Sequence, residues 1–593
     1  MSRYAHWFRA AVVFGLVFVL LVVVPSAPPW WRVTCLGFAV AYAVVIRHPL
    51  RWWRLSWLVV LSWFAIAFRF SLLVRSYGVI GGVSLVLGIL MGVLLSLAMM
   101  HQRRTCGAEN RRPWKVVLIE PAILAAALAV AAGLTVWNKL YREIPQDLGI
   151  PPGTSESERR DIEFKYGSIG AERADGIPLW IWLVLPRVFP EKMPVGYGGG
   201  YGAFGMAWEE GRPLPVGLSV KTIGVPRVAV NCAMCHTATY RTEARGETQL
   251  ALGGPASQLR FQEYFRFLFA CASDPRFTPD IILAEIEYNI RMTPLDWLLY
   301  RYVIVPETQR ALLKKSESLH WMDDRPDWGP GRLDPFNPAK FDPHLLAMNA
   351  SADKTIGTSD IQPLWGVGQG QRKYHWDGLT AALRDSVRIS MVSNGAPRSL
   401  AFGDRSAQLA NAIQKLQPPP YPFAVNRELA EQGAVVFRQL CANCHNSEGE
   451  QFGKVVPLSE IGTDPHRWES WSDEAAKRMN EFLLTDTFRK TPGYQAGPLK
   501  GLWLLAPYLH NGSVPTLDAL LRPQASRPAL FARGNDLLDQ ATAGFVWQRD
   551  GRSNNLFDTT QTGNANTGHE GSQYGTDLSE PDRMALLEYL KTL

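Results

Sequence analysis

The sequence predicts a mainly α protein in two parts: an N-terminal bundle of about five transmembrane helices, then a loop-rich region built around two Cys-x-x-Cys-His pentapeptides. Three observations predict it. Five apolar stretches fill the first quarter of the chain, the pentapeptides lie at 232–236 and 441–445, and 593 residues exceed what one core holds at about 150 residues per domain. Composition agrees with an average over two unlike regions, with 47% hydrophobic and 19% charged residues. The 61 basic and 54 acidic side chains leave a net charge of +7. The basic residues cluster between apolar stretches rather than in a patch facing a polyanion, which argues against a nucleic-acid partner.

The apolar stretches are 10–24, 33–46, 56–74, 79–100 and 116–137, most near the ~20 residues a bilayer core requires. Arg3 and Arg9, then Arg47, Arg51 and Arg54, then Arg103, Arg104, Arg111, Arg112 and Lys115 fall in alternate loops. This bias puts the N-terminus in the cytoplasm and everything after about Leu140 outside. No A-x-A site follows Val24, and 25–31 reads as an interfacial turn, so the first stretch is expected to stay uncleaved. Arg69 and Glu120 lie toward opposite ends of their spans and are expected to snorkel. A boundary scheme follows: 1–140 as membrane anchor, 141–175 as linker, 176–420 around the first pentapeptide and 421–593 around the second.

Cys232-Ala233-Met234-Cys235-His236 and Cys441-Ala442-Asn443-Cys444-His445 each set two thiols one helical turn apart, with an imidazole adjacent. Two such thiols form thioethers with the two vinyl groups of one haem, and the histidine supplies an axial nitrogen. Zinc would need further Cys/His pairs close by, and neither motif has them. Two covalently bound haems c are therefore expected, in a C-terminal region on the periplasmic side of the bacterial inner membrane. Of seven cysteines, Cys35, Cys106 and Cys271 remain as structural thiols.

The apolar positions Leu429, Val436, Phe437 and Leu440 predict a helix over 427–440 leading into Cys441. Ser579-Glu580-Pro581-Asp582 starts a helix that runs to the C-terminus. The first pentapeptide differs: Gly, Pro and β-branched residues at 221–230 predict entry from an extended segment. The Gly-rich run 196–202 lacks the strand, helix and Lys of a phosphate loop and reads as a flexible or closely packed loop.

Two further segments carry a resemblance. Ala506-Pro507-Tyr508-Leu509-His510-Asn511-Gly512-Ser513-Val514-Pro515-Thr516-Leu517 resembles a stretch shared by bacterial dihaem cytochrome c peroxidases and dihaem rubber oxygenases. Asn564-Ala565-Asn566-Thr567-Gly568-His569-Glu570 is similar to the rubber-oxygenase branch. The resemblance covers roughly 160–593. It implies His236 and His445 as proximal iron ligands and His569 as the distal ligand of the second haem. His510 is the alternative at that haem and His466 a poorer third. It also implies inequivalent haems, the one at His236 having an exchangeable face for oxygen or peroxide and the other serving electron transfer. No Gly-His-Glu element serves the first haem, for which Met206, His320, His344 and Met348 are in range along the chain. Trp365 and Trp376, in aromatic segments resembling those near the haems of this superfamily, are expected to border the reactive haem or the path between haems. The membrane anchor departs from the secreted rubber oxygenases and disfavours polymer cleavage. The expected function is a membrane-anchored haem oxidoreductase of peroxidase or oxygenase type. Its expected partners are membrane lipid, a redox partner at the membrane, and peroxide or another small oxygen species. The alternative is a non-catalytic carrier relaying electrons from a quinol-linked donor to a periplasmic acceptor.

Overall fold

The computed structural model describes residues 137–194, 199–368, 373–548 and 555–593. The chain divides into two compact units, 1–142 and 143–593, and all but the last few residues of the first lie outside the described residues. The five expected spans fall there too, with only Trp137 described.

Two expectations are corrected. Among the described residues no helix is long and apolar enough to cross a membrane, so neither the transmembrane bundle nor the multi-pass inner-membrane placement is supported. The physical reason shows in the longest helical run, Pro294–Leu299, Tyr300–Ile304 and Val305–Ser318. It contains a π turn and carries Asp296, Arg301, Glu307, Arg310, Lys314 and Lys315, too many charges for hydrocarbon. The mainly α class is also corrected: the second unit mixes helices with small antiparallel sheets.

Its largest sheet has four strands in the order β1-β3-β4-β2, comprising β1 (Glu143–Ile144), β2 (Ile177–Pro178), β3 (Leu218–Ile223) and β4 (Val225–Val230). Strands β3 and β4 form a hairpin with Leu218 opposite Val230 and Ile223 opposite Val225. Gly224, at φ +72°, makes the reversal, a conformation β-branched neighbours would resist. The short helix α1 (Cys232–Cys235) follows, then the hairpin of β5 (Thr237–Tyr240) and β6 (Gln249–Leu252). Further along, β7 (Arg332–Leu333) pairs with β8 (Ser359–Asp360).

In the C-terminal part, α2 (Arg427–Leu440) runs into α3 (Ala442–His445), and α4 (Glu580–Leu590) closes the chain. The Asn426 side chain caps α2 by accepting from the Leu429 N–H, and the Ser579 hydroxyl caps α4 by accepting from Asp582. The two helices cross closely because position 433 has no side chain. A Cβ there would sit 1.9 Å from the Ala585 carbonyl oxygen. Phe437 packs on Tyr589 with ring centroids 5.1 Å apart, and burying such a ring contributes about 1.5–3 kcal/mol. One hydrophobic core cluster among the described residues draws Met391, Trp365, Trp503, Leu504, Val514 and Leu586 together, so residues on both sides of position 420 share it. This core holds the two pentapeptides in one frame.

Candidate functional site

The second pentapeptide is built by a helix end. Helix α2 stops at Cys441, whose N–H donates to the Phe437 carbonyl at 2.8 Å, and the His445 N–H returns to Cys441 at 3.0 Å. The two cysteines and the histidine therefore share one turn. Burial pushes the Cys441 thiol up to about 11, where it stays protonated. The His445 ring is oriented by one bond: its Nδ1 lies 2.9 Å from the Gly497 carbonyl. A carbonyl only accepts, so Nδ1 carries the proton and Nε2 keeps its lone pair free for a metal. Burial also holds this ring below its ordinary pKa, opposed by that same carbonyl.

Facing it across a gap is His569. The ring centroids of His445 and His569 are 6.4 Å apart at an interplanar angle of 48°. The loop bearing His569 is pinned by its backbone: its N–H donates to the Ile461 carbonyl at 2.8 Å, and its carbonyl accepts from Arg527 at 3.2 Å. Gly568 takes φ +76° and presses on Gly462 and Thr463, where any Cβ would clash at 2.3 Å. His569 itself sits at φ +49°, an uncommon state for a non-glycine residue. Its Nδ1 is buried with no hydrogen-bond partner. Burial first, then His445 and Arg527, push its pKa down to about 3, so the ring is neutral and able to donate a lone pair. Tyr574 covers it at a centroid distance of 4.7 Å.

These residues fit a haem c. Metal–imidazole bonds of about 2.0–2.1 Å on opposite sides of one iron, with each ring's own radius added, set centroids about 6 Å apart. The two thiols and His445 come from one pentapeptide, and His569 supplies the opposed imidazole. Among the described residues no cluster of three or more His, Cys, Asp or Glu side chains is arranged to hold a bare ion, which separates this arrangement from a zinc site.

The first pentapeptide is built by a sheet. Hairpin β3–β4 delivers Asn231, whose Oδ1 accepts the Ala233 N–H at 2.9 Å and caps α1. Its Nδ2 donates to the Lys165 and Gly167 carbonyls. Cys232, Cys235 and His236 follow, with the His236 N–H donating to Cys232 at 3.0 Å. Burial raises both thiols, Cys232 to about 11 and Cys235 to about 12. It pushes His236 down to about 4, against the pull of the Gln362 carbonyl. This ring too is a neutral donor. Unlike His445, it makes no ring contact with another histidine among the described residues.

Trp365 joins the two regions. Its Nε1–H donates to the Leu252 carbonyl at 2.8 Å, and it is 2% exposed. The indole is wedged between glycines: a Cβ at Gly253, Gly254 or Gly501 would meet it at 2.7–2.8 Å. Gly253 also donates to the His236 carbonyl at 2.8 Å, so the indole stands one backbone step from the first pentapeptide and touches Gly501 of the C-terminal part. Trp376 donates its Nε1–H to the Asp360 carbonyl at 3.0 Å, and its own carbonyl accepts from the Gln495 N–H.

The other candidates sit elsewhere. His510 is buried and stacked on Tyr494 at 4.0 Å rather than on His445. Burial, with Arg467 and Arg332 nearby, holds its pKa well below the ordinary value. His466 bonds Asp464 at 2.9 Å. His320 pairs with Asp323 at the surface, His344 is exposed, and Met348 is half-buried. Met206 is buried. Sequence reasoning misses the Gly497 carbonyl, since every residue has one, and Tyr574, which carries no motif.

Residues 493–532 match the family described as RoxA-like, cytochrome c-like. The matched stretch contains the His445 partner Gly497 and the segment through His510. It relates the chain to RoxA-like cytochromes c and implies covalently bound haem c. Two curated relatives come from Sinorhizobium fredii (strain NBRC 101917 / NGR234). The uncharacterized protein y4iJ is 30% identical over 253 residues, 31% of this chain and 42% of that protein. The uncharacterized protein y4iM is 30% identical over 295 residues, 40% of this chain and 64% of that protein. The chain thus spans less than two thirds of either relative's length.

Proposed function

We propose that this protein is a dihaem c-type cytochrome with unequal haems. Cys441, Cys444, His445 and His569 would hold one of them, which would serve electron transfer. The other, held by Cys232, Cys235 and His236, keeps an exchangeable face and reduces peroxide or oxygen. The observation that carries this reading is asymmetry: His445 is opposed by a second imidazole at 6.4 Å, whereas the His236 ring meets no histidine among the described residues.

Haem c supplies reversible one-electron chemistry and, where a face is exchangeable, a position for a small oxygen species. The chain does the rest. Gly497 fixes the His445 tautomer, and the pinned loop with Arg527 aims His569. Desolvation keeps both imidazoles and His236 neutral, so each offers a lone pair at neutral pH. Trp365 packs against Gly253 and Gly254 on the side of the first pentapeptide and against Gly501 of the C-terminal part, while Trp376 braces the segment that carries Gln495. Peroxide reduction to two waters consumes two electrons and two protons, which an external electron donor and solvent would supply, and two filled haem sites would let the protein hold both electrons at once.

Electron paramagnetic resonance of the ferric protein tests the reading, together with turnover of peroxide or oxygen by an electron donor. One low-spin and one high-spin signal, with turnover, are expected. Two low-spin signals and no turnover overturn the catalytic reading in favour of an electron carrier.

A further inference from the structure

A cavity of about 350 Å³ opens beside the pair of strands β7 and β8, lined by Arg260, Gln262, Arg332, Arg533, Phe557 and Asn564 among others. Two of these side chains are almost wholly buried and hold donors without acceptors. Arg332 is 2% exposed, and its Nε has no hydrogen-bond partner. Gln262 is 3% exposed; its Oε1 accepts from the Trp328 N–H at 2.8 Å, while its Nε2 has no partner. A buried donor left unsatisfied costs about 1–3 kcal/mol, and a charged one more.

Arg332 is also short of countercharge. It forms no ion pair among the described residues, because the Asp360 carboxylate opposite it in the strand pair is taken by Arg533. What Arg332 does touch is the face of Phe557, 4.9 Å from the ring centroid. Burial, and then Arg533, push its pKa down to about 9 against the pull of Asp360 and Asp464, the direction expected of a buried cation with no ion-pair partner of its own. Of the acidic residues lining the cavity, Glu263 pairs with Arg260 at 3.5 Å and Asp327 with Arg266 at 2.7 Å, both of these arginines lining it too, and Asp558 accepts from the Thr560 N–H at 2.9 Å.

Donors facing one cavity need a ligand that offers oxygen lone pairs and a negative charge, and the planar guanidinium fork matches a carboxylate. We propose that this cavity binds a carboxylate, gripped by Arg332 with Gln262 as second donor. Two sources offer that chemistry. One is a propionate of a bound haem, since Ile361, bonded through its N–H to the Gly331 carbonyl, leads directly to Gln362 beside His236; this source rests on the haem reading above. The other is a free carboxylate from solution, which does not.

The test uses the full chain with haem attached, as wild type and as Arg332→Leu, Arg332→Lys and Gln262→Leu. Sodium succinate is titrated by calorimetry at low salt, and the haem reduction potentials are measured by spectroelectrochemistry. For a free carboxylate, wild type binds succinate, Arg332→Leu and Gln262→Leu weaken binding at least tenfold, and the potentials stay fixed. For a propionate, succinate does not bind. Arg332→Leu then favours the ferric state of one haem tenfold, a fall of about 59 mV for one electron, and Arg332→Lys restores most of it. No succinate binding together with unmoved potentials in every variant overturns the proposal. If Arg332→Leu does not fold, Arg332→Lys and Gln262→Leu carry the same comparison. Haem counting by pyridine haemochrome on each preparation keeps a failure of the haem reading distinct, since the succinate arm is independent of haem number.

Discussion

Replacing Gly433 by alanine probes how the helix that presents Cys441 is held. The added Cβ would lie 1.9 Å from the Ala585 carbonyl oxygen and 2.4 Å from its carbon. Ordinary contact begins near 3.4 Å, so α2 and α4 must part by about 1.5 Å. Separation loosens Phe437 against Tyr589. Overpacking of this kind costs about 1–3 kcal/mol, and alanine returns about 1 kcal/mol of helix propensity. Because the clash is with backbone that cannot turn aside, the cost lies at the upper end of that range, and the expected balance is a loss of about 2 kcal/mol, with a perturbed Soret band because α2 ends at the residue before Cys441. Urea unfolding followed at the Soret maximum and by far-ultraviolet circular dichroism measures both. Val435→Ala, on the exposed face of the same helix, is the control and should change stability by less than about 0.5 kcal/mol. Unchanged or increased stability of Gly433→Ala would refute the close-crossing argument.

Two other predictions concern the histidines. His569→Ala should convert one low-spin haem to high spin, because it removes the imidazole opposed to His445, whereas His510→Ala, stacked on Tyr494, should leave the spin state intact; the reverse pattern would exchange their roles. On pH, desolvation holds His375, whose Nε2 lies 3.2 Å from the Ser386 hydroxyl, neutral down to about 4. The unfolded chain takes up that proton below about 6.5. Its contribution to stability is therefore complete above about pH 6.5 and lost progressively as pH falls toward 4. Urea midpoints measured from pH 7 to pH 4 should decline, and a flat profile would contradict the buried neutral state.

The parts of the fold legible in the sequence are those whose periodicity and caps agree. The stripe Leu429, Val436, Phe437, Leu440 yields α2 with the expected bounds, and Ser579 caps α4. The β-branched run before Cys232 yields strand β4. The small strands β1, β2, β7 and β8 have two residues each, too few for any alternation to register, and so the mixed class escapes a reading by periodicity. The five apolar stretches lie outside the described residues apart from Trp137, and no described helix is both long and apolar enough to span a bilayer. At the site, cysteine spacing makes the attachment residues legible. What spacing cannot convey is partnership across the fold. The approach of His569 depends on Gly568 and Ile461, and the orientation of His445 on the Gly497 carbonyl. The buried Arg332 is equally hidden, because an arginine in a sequence reads as surface until the fold encloses it.

The inequality of the two haems is tested most directly by counting carbon monoxide bound per haem in the dithionite-reduced protein. Carbon monoxide takes an exchangeable iron position and does not displace a well-held second imidazole. The account predicts one carbon monoxide for two haems in the wild type, rising to two in His569→Ala. None bound, or two bound before any mutation, would contradict it.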